Sequence, residues 1–432
     1  MKNVVYNRYP LGTEKIKWKQ KEFVLSGFAA MSDDMDLAIK NLVENGFNLM
    51  ESGWSPHEKT WETVEACEKY GLDFIFQDMS VMGGMMNKQL DRFVSADTIK
   101  ELVESLKKYK HTVGFYVWDE PHIPAQIAEA KRQKDIIMEA DPDTLPFTVF
   151  PPSYNPAVTW ENGLYETAFE HYMETIQPPV VSFDHYPIGY YFNLYPNEFK
   201  YDEDYQLDNA YLWADMGVAR KLAKKYNVPL WYYYQGSPTY KTTDFLVFPM
   251  IRALMYIGAI YGCKGLQRYT VKNDLLTEKG EKGKYFEEQK AIHAEFKALG
   301  NTLMALESRL VYHDDAVYEN APLLEGRVDK VEDSSIVDGK LPFRVSVGDL
   351  DDAYGNNYLF ILNREFRKPL DASIALKGKY NVYEVSKVDG KQRLVEEGAS
   401  SIKLSLIEGD AALYRVQPYG EELFTCEYKL AD

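Results

Sequence analysis

Cysteine is scarce in this chain. Among 432 residues there are three, Cys67, Cys263 and Cys426, set far apart with no CxxC pair, so neither a disulfide framework nor a structural zinc site is indicated. Positive charge is short as well. Lys and Arg number 49 against 66 Asp and Glu, and the formal net charge of -17 repels nucleic-acid phosphates and anionic lipid headgroups. No apolar run is long enough to span a bilayer. No apolar stretch follows Lys2, so no secretory leader is visible, and few cysteines fit a reducing compartment. No GxGxxG follows an early strand-like segment, which removes the main support for a dinucleotide-binding fold. The expected setting is cytoplasmic, with neither nucleic acid nor membrane as partner. A secreted chain whose leader had been removed would read the same.

What is present is a repeating unit. From about residue 22 to 306, short apolar segments alternate with amphipathic ones, the pattern of a parallel α/β fold. The strand-like segments are EFVLSGFAA, FNLMESGWS, LDFIFQDMS, TVGFYVWDEP, LPFTVFPPSY, PVVSFDHYPI, VPLWYYYQGSP and CKGLQRYTV. In the first helical segment Met35, Ile39, Leu42 and Val43 recur at helical spacing, with Ser32 as the expected N-cap and Gly46 as the terminator. Eight such units fit a closed (β/α)8 TIM barrel better than an open sheet. After residue 307 the texture changes to short alternating runs such as YLFILNREF and AALYRVQPY, separated by Gly, Asn and Asp. That reads as a small C-terminal antiparallel β-sandwich over residues 307–432, following a barrel over residues 1–306. Residues 321 to 342 read as a surface excursion, and VMGGMMNKQLDRFV (81–94) as a loop walling a cleft.

Reactive groups of such barrels sit where strands end and loops begin. Here those positions are polar. Glu51 ends the second strand, Asp78 the third, and Asp119 and Glu120 the fourth. Asp184, His185 and Tyr186 end the sixth, Tyr234 and Gln235 the seventh, and Arg268 and Tyr269 the eighth. Carboxylates on apolar strands are costly to bury unless they are paired or needed for chemistry. Glu120 follows the apolar run GFYVW, so desolvation and an ionised Asp119 should raise its pKa, as a general acid requires. The plainer alternative is a salt-bridged pair at a strand end. Trp54 and Trp118 are candidate stacking platforms; Trp231 lies well inside a strand and reads as core. Glu51, Asp78, Glu120, Asp184 and His185 could alternatively ring a divalent ion in a metal-dependent isomerase or aldolase, but no HxH pair follows the first strand.

WDEP on strand four, SFDHYP on strand six, the aromatic strand seven and YGCKGLQRYT on strand eight resemble barrel glycoside hydrolases of the large retaining superfamily. LSLIEGDAALYRV resembles the last strands of the sandwich domains that follow such barrels. The resemblance implies Glu120 as acid/base, assisted by Asp119 and Asp184. It further implies an oligosaccharide or glycoside held by Glu51, Asp78, His185, Tyr186, Tyr234, Gln235, Arg268 and Tyr269, and no cofactor. The sequence departs from that pattern twice. Asp119 stands where Asn is usual, and Gln235 where the nucleophilic Glu would end strand seven. A carboxamide cannot form a glycosyl ester. Three resolutions stay open. The Asp-Glu pair is similar to that of substrate-assisted β-N-acetylhexosaminidases, in which the sugar's acetamido group attacks and Tyr234 would hold it. The second carboxylate could instead be Asp184 or Glu51. Or the barrel binds carbohydrate without cleaving it.

Overall fold

The structure is a computed structural model that describes residues 2–8, 10–11, 16–28, 32–53, 55–78, 83–84, 94–155, 164–188, 207–208, 210–237, 246–318 and 324–431. Trp54 and nearly all of the 81–94 loop lie outside the described residues. Eight parallel strands occupy Val24–Phe28, Leu49–Glu51, Asp73–Phe76, Thr112–Asp119, Leu145–Val149, Val181–His185, Leu230–Gln235 and Gly265–Tyr269. They pair in sequence order, and the eighth pairs back onto the first. Between the fifth and sixth the ring is closed by one bridge, in which the Phe150 N–H donates to the Ser182 carbonyl at 2.9 Å. Each strand is followed by a helix, from Met35–Asn45 to Phe286–Ala305. This is the TIM barrel expected from the alternation. Among the described residues no helix is long and apolar enough to cross a membrane.

Strand alternation divides the side chains into two cores. Leu49, Ile75, Phe147, Val149, Trp231 and Tyr233 fill the barrel, so Trp231 is indeed core. Phe74, Phe76, Val181, Phe183, Tyr232, Tyr234 and Leu266 point outward and pack beneath the helices. The first helix is capped differently from expectation. Asp34, not Ser32, caps it by accepting from the Leu37 N–H at 2.9 Å, while the Ser32 hydroxyl donates to the Glu278 carbonyl. Gly46 ends it at φ 104°, a left-handed conformation that favours glycine.

The C-terminal part is a seven-stranded antiparallel sheet beginning at Leu306–His313. Its longest strands, Leu370–Val385 and Gln392–Leu406, break register near Tyr380 and Val382. Their outer halves fold back over the sheet, so that Ile374, Ile402 and Leu404 meet Val347, Leu359 and Ile361 in a sandwich core. The alternate residues Tyr358, Phe360 and Leu362 belong to the barrel-side core, where helix Phe248–Ile260 packs on the sheet. Part of the supposed surface excursion is structural. Val337–Asp338 pairs with Ala375 and Leu376, and Ile336 and Val337 are buried. The first strand of the chain, Lys2–Arg8, pairs in parallel with the last, Phe424–Leu430, which ties the two ends of the chain together.

Candidate active site

Strand four decides the geometry. Its register with strand five runs from Tyr116 opposite Phe147 directly to Trp118 opposite Thr148, leaving Val117 as an extra residue. Such a bulge re-aims every side chain beyond it. Tyr116 and Asp119 therefore both face the barrel interior, and the Tyr116 hydroxyl donates to Asp119 Oδ1 at 2.9 Å. Trp118 takes the outer face. Expected to stack on substrate, it is instead buried in the core between barrel and helices.

Glu120 has φ 50°, in the left-handed region that a residue with a Cβ adopts only under constraint. The His122 ring nitrogen Nδ1 donates to the Glu120 carbonyl at 2.7 Å and helps hold this turn. The Glu120 carboxyl is hydrogen-bonded to Asp184, at the end of strand six. Burial, then the charges of Asp184 and Asp119, hold the Glu120 carboxyl well above the usual carboxylate range. Burial also raises Asp184, opposed by hydrogen bonds from Glu120, from Tyr186 and from its own backbone N–H. Two facing carboxyls cannot both ionise cheaply, so the pair holds a proton beyond the usual carboxylate range. Tyr186 stacks on Tyr269 with ring centroids 4.6 Å apart, and Phe28 lies 5.5 Å from Tyr269. These rings form an aromatic wall beside the pair.

Glu51 is fully buried on the next inward layer. Its Oε1 accepts from Ser26 at 2.5 Å and from Gln267 at 2.8 Å. Burial pushes it up to about 8 against those two hydrogen bonds, and the Asp119 charge adds to the rise. Glu51 is thus a neutral acid at pH 7. An unfolded glutamate ionises near 4.3, so between that pH and about 8 the folded state binds the extra proton. This residue's contribution to stability therefore falls as pH rises through that window, by at most roughly 1.4 kcal/mol per unit. Glu51→Gln should flatten that slope, and urea unfolding of both proteins at pH 5.5 and 8.5 checks it. Parallel slopes would show that Glu51 ionises normally.

Five expected site residues are placed elsewhere. His185 is on the outer face of strand six; its Nδ1 meets Asp215 of helix Ala210–Tyr226 at 2.8 Å, and Asp215 also accepts from the Ser153 N–H. The Tyr234 hydroxyl lies behind the wall, accepting from Gln289 of the last barrel helix at 3.3 Å. Arg268 is its outer-face neighbour, donating to Gln289 and to the Gly236 and Thr270 carbonyls. Asp78 pairs with His57 at the start of helix His57–Tyr70, at 2.5 Å. Gln235 clamps the loop after strand six, accepting from the Ile188 N–H at 2.9 Å and donating to the Ile188 carbonyl at 2.8 Å. An amide serves a donor and an acceptor together, which a carboxylate cannot. The structure therefore brings together Glu51, Asp119, Glu120, Asp184, Tyr186 and Tyr269. It adds Tyr116, which sequence reading missed because the bulge carries no sequence mark. Among the described residues no group of three or more His, Cys, Asp and Glu is arranged to hold a metal ion.

No protein-family profile matches the chain, and no curated protein matches its sequence. Solved structures do match. An alpha-galactosidase, so assigned provisionally, from Bacteroides fragilis superposes with TM-score 0.51 at 8% identity, over 92% of this chain and 79% of its own. A second Bacteroides fragilis structure, provisionally an alpha-galactosidase/melibiase, gives 0.49 at 9% identity with the same coverage. A glycoside hydrolase family 30 subfamily 8 xylanase from Clostridium acetobutylicum gives 0.45 at 11% identity, over 96% and 99%. At these identities the likeness is one of fold: a barrel with an appended sheet, an architecture that glycoside hydrolases use.

Proposed function

We propose that the protein hydrolyses O-glycosidic bonds with Glu120 as general acid/base and Asp184 as the facing carboxylate. The observation that carries this reading is the pair of facing carboxyls, Glu120 and Asp184, at the ends of strands four and six at the C-terminal mouth of the barrel. Glu120 gives its proton to the leaving oxygen while Asp184 attacks the anomeric carbon. The glycosyl ester is then opened by water, whose proton returns to Glu120. Asp119, fixed by Tyr116, sits close enough to stabilise positive charge on the ring.

Spacing favours retention. Inverting enzymes hold their carboxyls about 6.5–9.5 Å apart to admit a water, whereas retaining ones need only about 5 Å. Glu120 and Asp184 are near enough to hydrogen-bond, which is closer to the retaining arrangement than to the inverting one. Substrate assistance loses its acetamido partner, because Tyr234 is turned behind the barrel wall. A panel of aryl glycosides, 2-acetamido ones included, should give turnover without an acetamido requirement. Proton NMR of the first-formed sugar should then show the substrate's own anomeric configuration. First formation of the opposite anomer would remove Asp184 as nucleophile. Binding without any turnover would favour a carbohydrate-binding barrel.

Tyr186 tunes the same group. Its hydrogen bond lowers the pKa of Asp184, so Tyr186→Phe should raise that pKa. Activity needs Asp184 ionised, and the acidic limb of the pH–rate profile should therefore move to higher pH, with kcat reduced. An unmoved limb would separate Tyr186 from Asp184.

A further inference from the structure

Several fully buried polar atoms have no hydrogen-bond partner among the described residues: Glu51 Oε2, both amide atoms of Gln77, the Tyr233 hydroxyl and Asp184 Oδ1. Buried polar groups are rarely left unmade, and such a cluster asks for an occupant. Its members are neighbours. Tyr233 is the register partner of Asp184 on the adjacent strand. Glu51 is the register partner of Phe28 on one side and of Ile75 on the other. Gln77 is two residues past the inward-facing Ile75, just beyond the strand end, where continued alternation turns it inward. Glu51 accepts from Gln267, the register partner of Tyr233, and the Asp119 charge acts on both Glu51 and Asp184, which links the two groups.

We propose that Glu51, Gln77 and Tyr233 form the floor of the subsite that holds the sugar ring against Glu120 and Asp184, and that this ring is a neutral one. The proposal rests on the hydrolase reading above for its orientation. A pyranose presents hydroxyls that both donate and accept. The Gln77 amide offers donors and an acceptor, the Tyr233 hydroxyl either, and the neutral Glu51 carboxyl one free oxygen. A site that uses such atoms discriminates strongly, because a sugar lacking the matching hydroxyl leaves them unpaired again. Charge disfavours uronic acids. Asp119 and the ionised member of the Glu120–Asp184 pair lie at the site, and among the described strand ends the cation, Arg268, is turned outward and engaged with Gln289, Gly236 and Thr270.

The test combines melting and binding on the full chain. The probes are galactose, glucose, xylose and fucose, with glucuronate as the anionic comparison, followed by thermal shift and calorimetry. At least one neutral sugar should raise the melting temperature, and glucuronate should not. Tyr233→Phe and Gln77→Met remove unpartnered polar atoms, so without sugar they should melt at or above the wild-type temperature. Each should bind the favoured sugar about ten-fold more weakly, the equivalent of one hydrogen bond. Variants that melt lower and bind as well as wild type would overturn the floor, as would tighter binding of glucuronate or no binding of any neutral sugar. Weakened binding with no hydrolysis of any glycoside would leave the floor standing and remove the hydrolase reading. Hydrolysis with kcat/KM unchanged in both variants would do the reverse.

Discussion

Glu120→Gln should lower kcat/KM by about 10²–10⁴ on glycosides with poor leaving groups, while the protein stays folded. The amide keeps the shape of the side chain and can still donate to Asp184. It cannot hand a proton to the bridging oxygen. The loss should shrink for aryl glycosides whose leaving group needs no protonation, and that dependence distinguishes lost acid catalysis from a misplaced substrate. The sign of the pH effect is fixed as well. Wild-type activity should fall at high pH as Glu120 gives up its proton, from a pKa held up by burial and by Asp184 and Asp119. In Glu120→Gln that alkaline limb should disappear on activated substrates. Thermal melting should change little, since a half-buried carboxyl beside two others is replaced by a neutral group. Undiminished turnover on poor leaving groups would remove Glu120 from the chemistry.

How much of this was legible in the sequence depends on which physical rule governs each feature. The barrel was legible because eight alternations of apolar strand and amphipathic helix have few other solutions, and the position of Glu120 at the end of the fourth strand because it closely follows the apolar run GFYVW. The facing of strand-end residues was partly legible. If Asp184 points inward, a period of two puts His185 outward, and Trp231, Tyr233 and Gln235 facing in leaves Tyr234 facing out. Reading every polar strand-end residue as a site residue overlooked that rule. On strand four the same rule misleads. The extra residue at Val117 exchanges the faces of Trp118 and Asp119, and nothing in TVGFYVWDEP announces it. Gln235 stands where a nucleophile was sought because the loop at Ile188 needs both a donor and an acceptor there. Such long-range demands leave no local pattern.

Arg364 is the clearest case of a contact invisible in sequence, and its removal should have the largest effect on stability. It extends from the C-terminal sheet, is fully buried, and donates to Asp314 on its own side and to Asp208 and the Leu207 carbonyl on the barrel side. Its guanidinium also lies 5.5 Å from the ring centre of Trp213 in helix Ala210–Tyr226. Arg344 reaches the same Asp208, at 3.2 Å. Deleting one member of a buried ion cluster leaves its partners' charges without compensation, which costs about 3–5 kcal/mol. Arg364→Ala should lower the urea midpoint accordingly. Arg364→Lys should recover only part, because a single ammonium cannot span two carboxylates as a planar guanidinium does. Turnover per folded molecule should stay near wild type, since Arg364 binds sheet to helix and touches none of Glu120, Asp184 or Asp119. An unchanged midpoint would show that Arg364 is not needed to hold barrel and sheet together, the packing of helix Phe248–Ile260 against Phe360 and Leu362 and the remaining contacts sufficing.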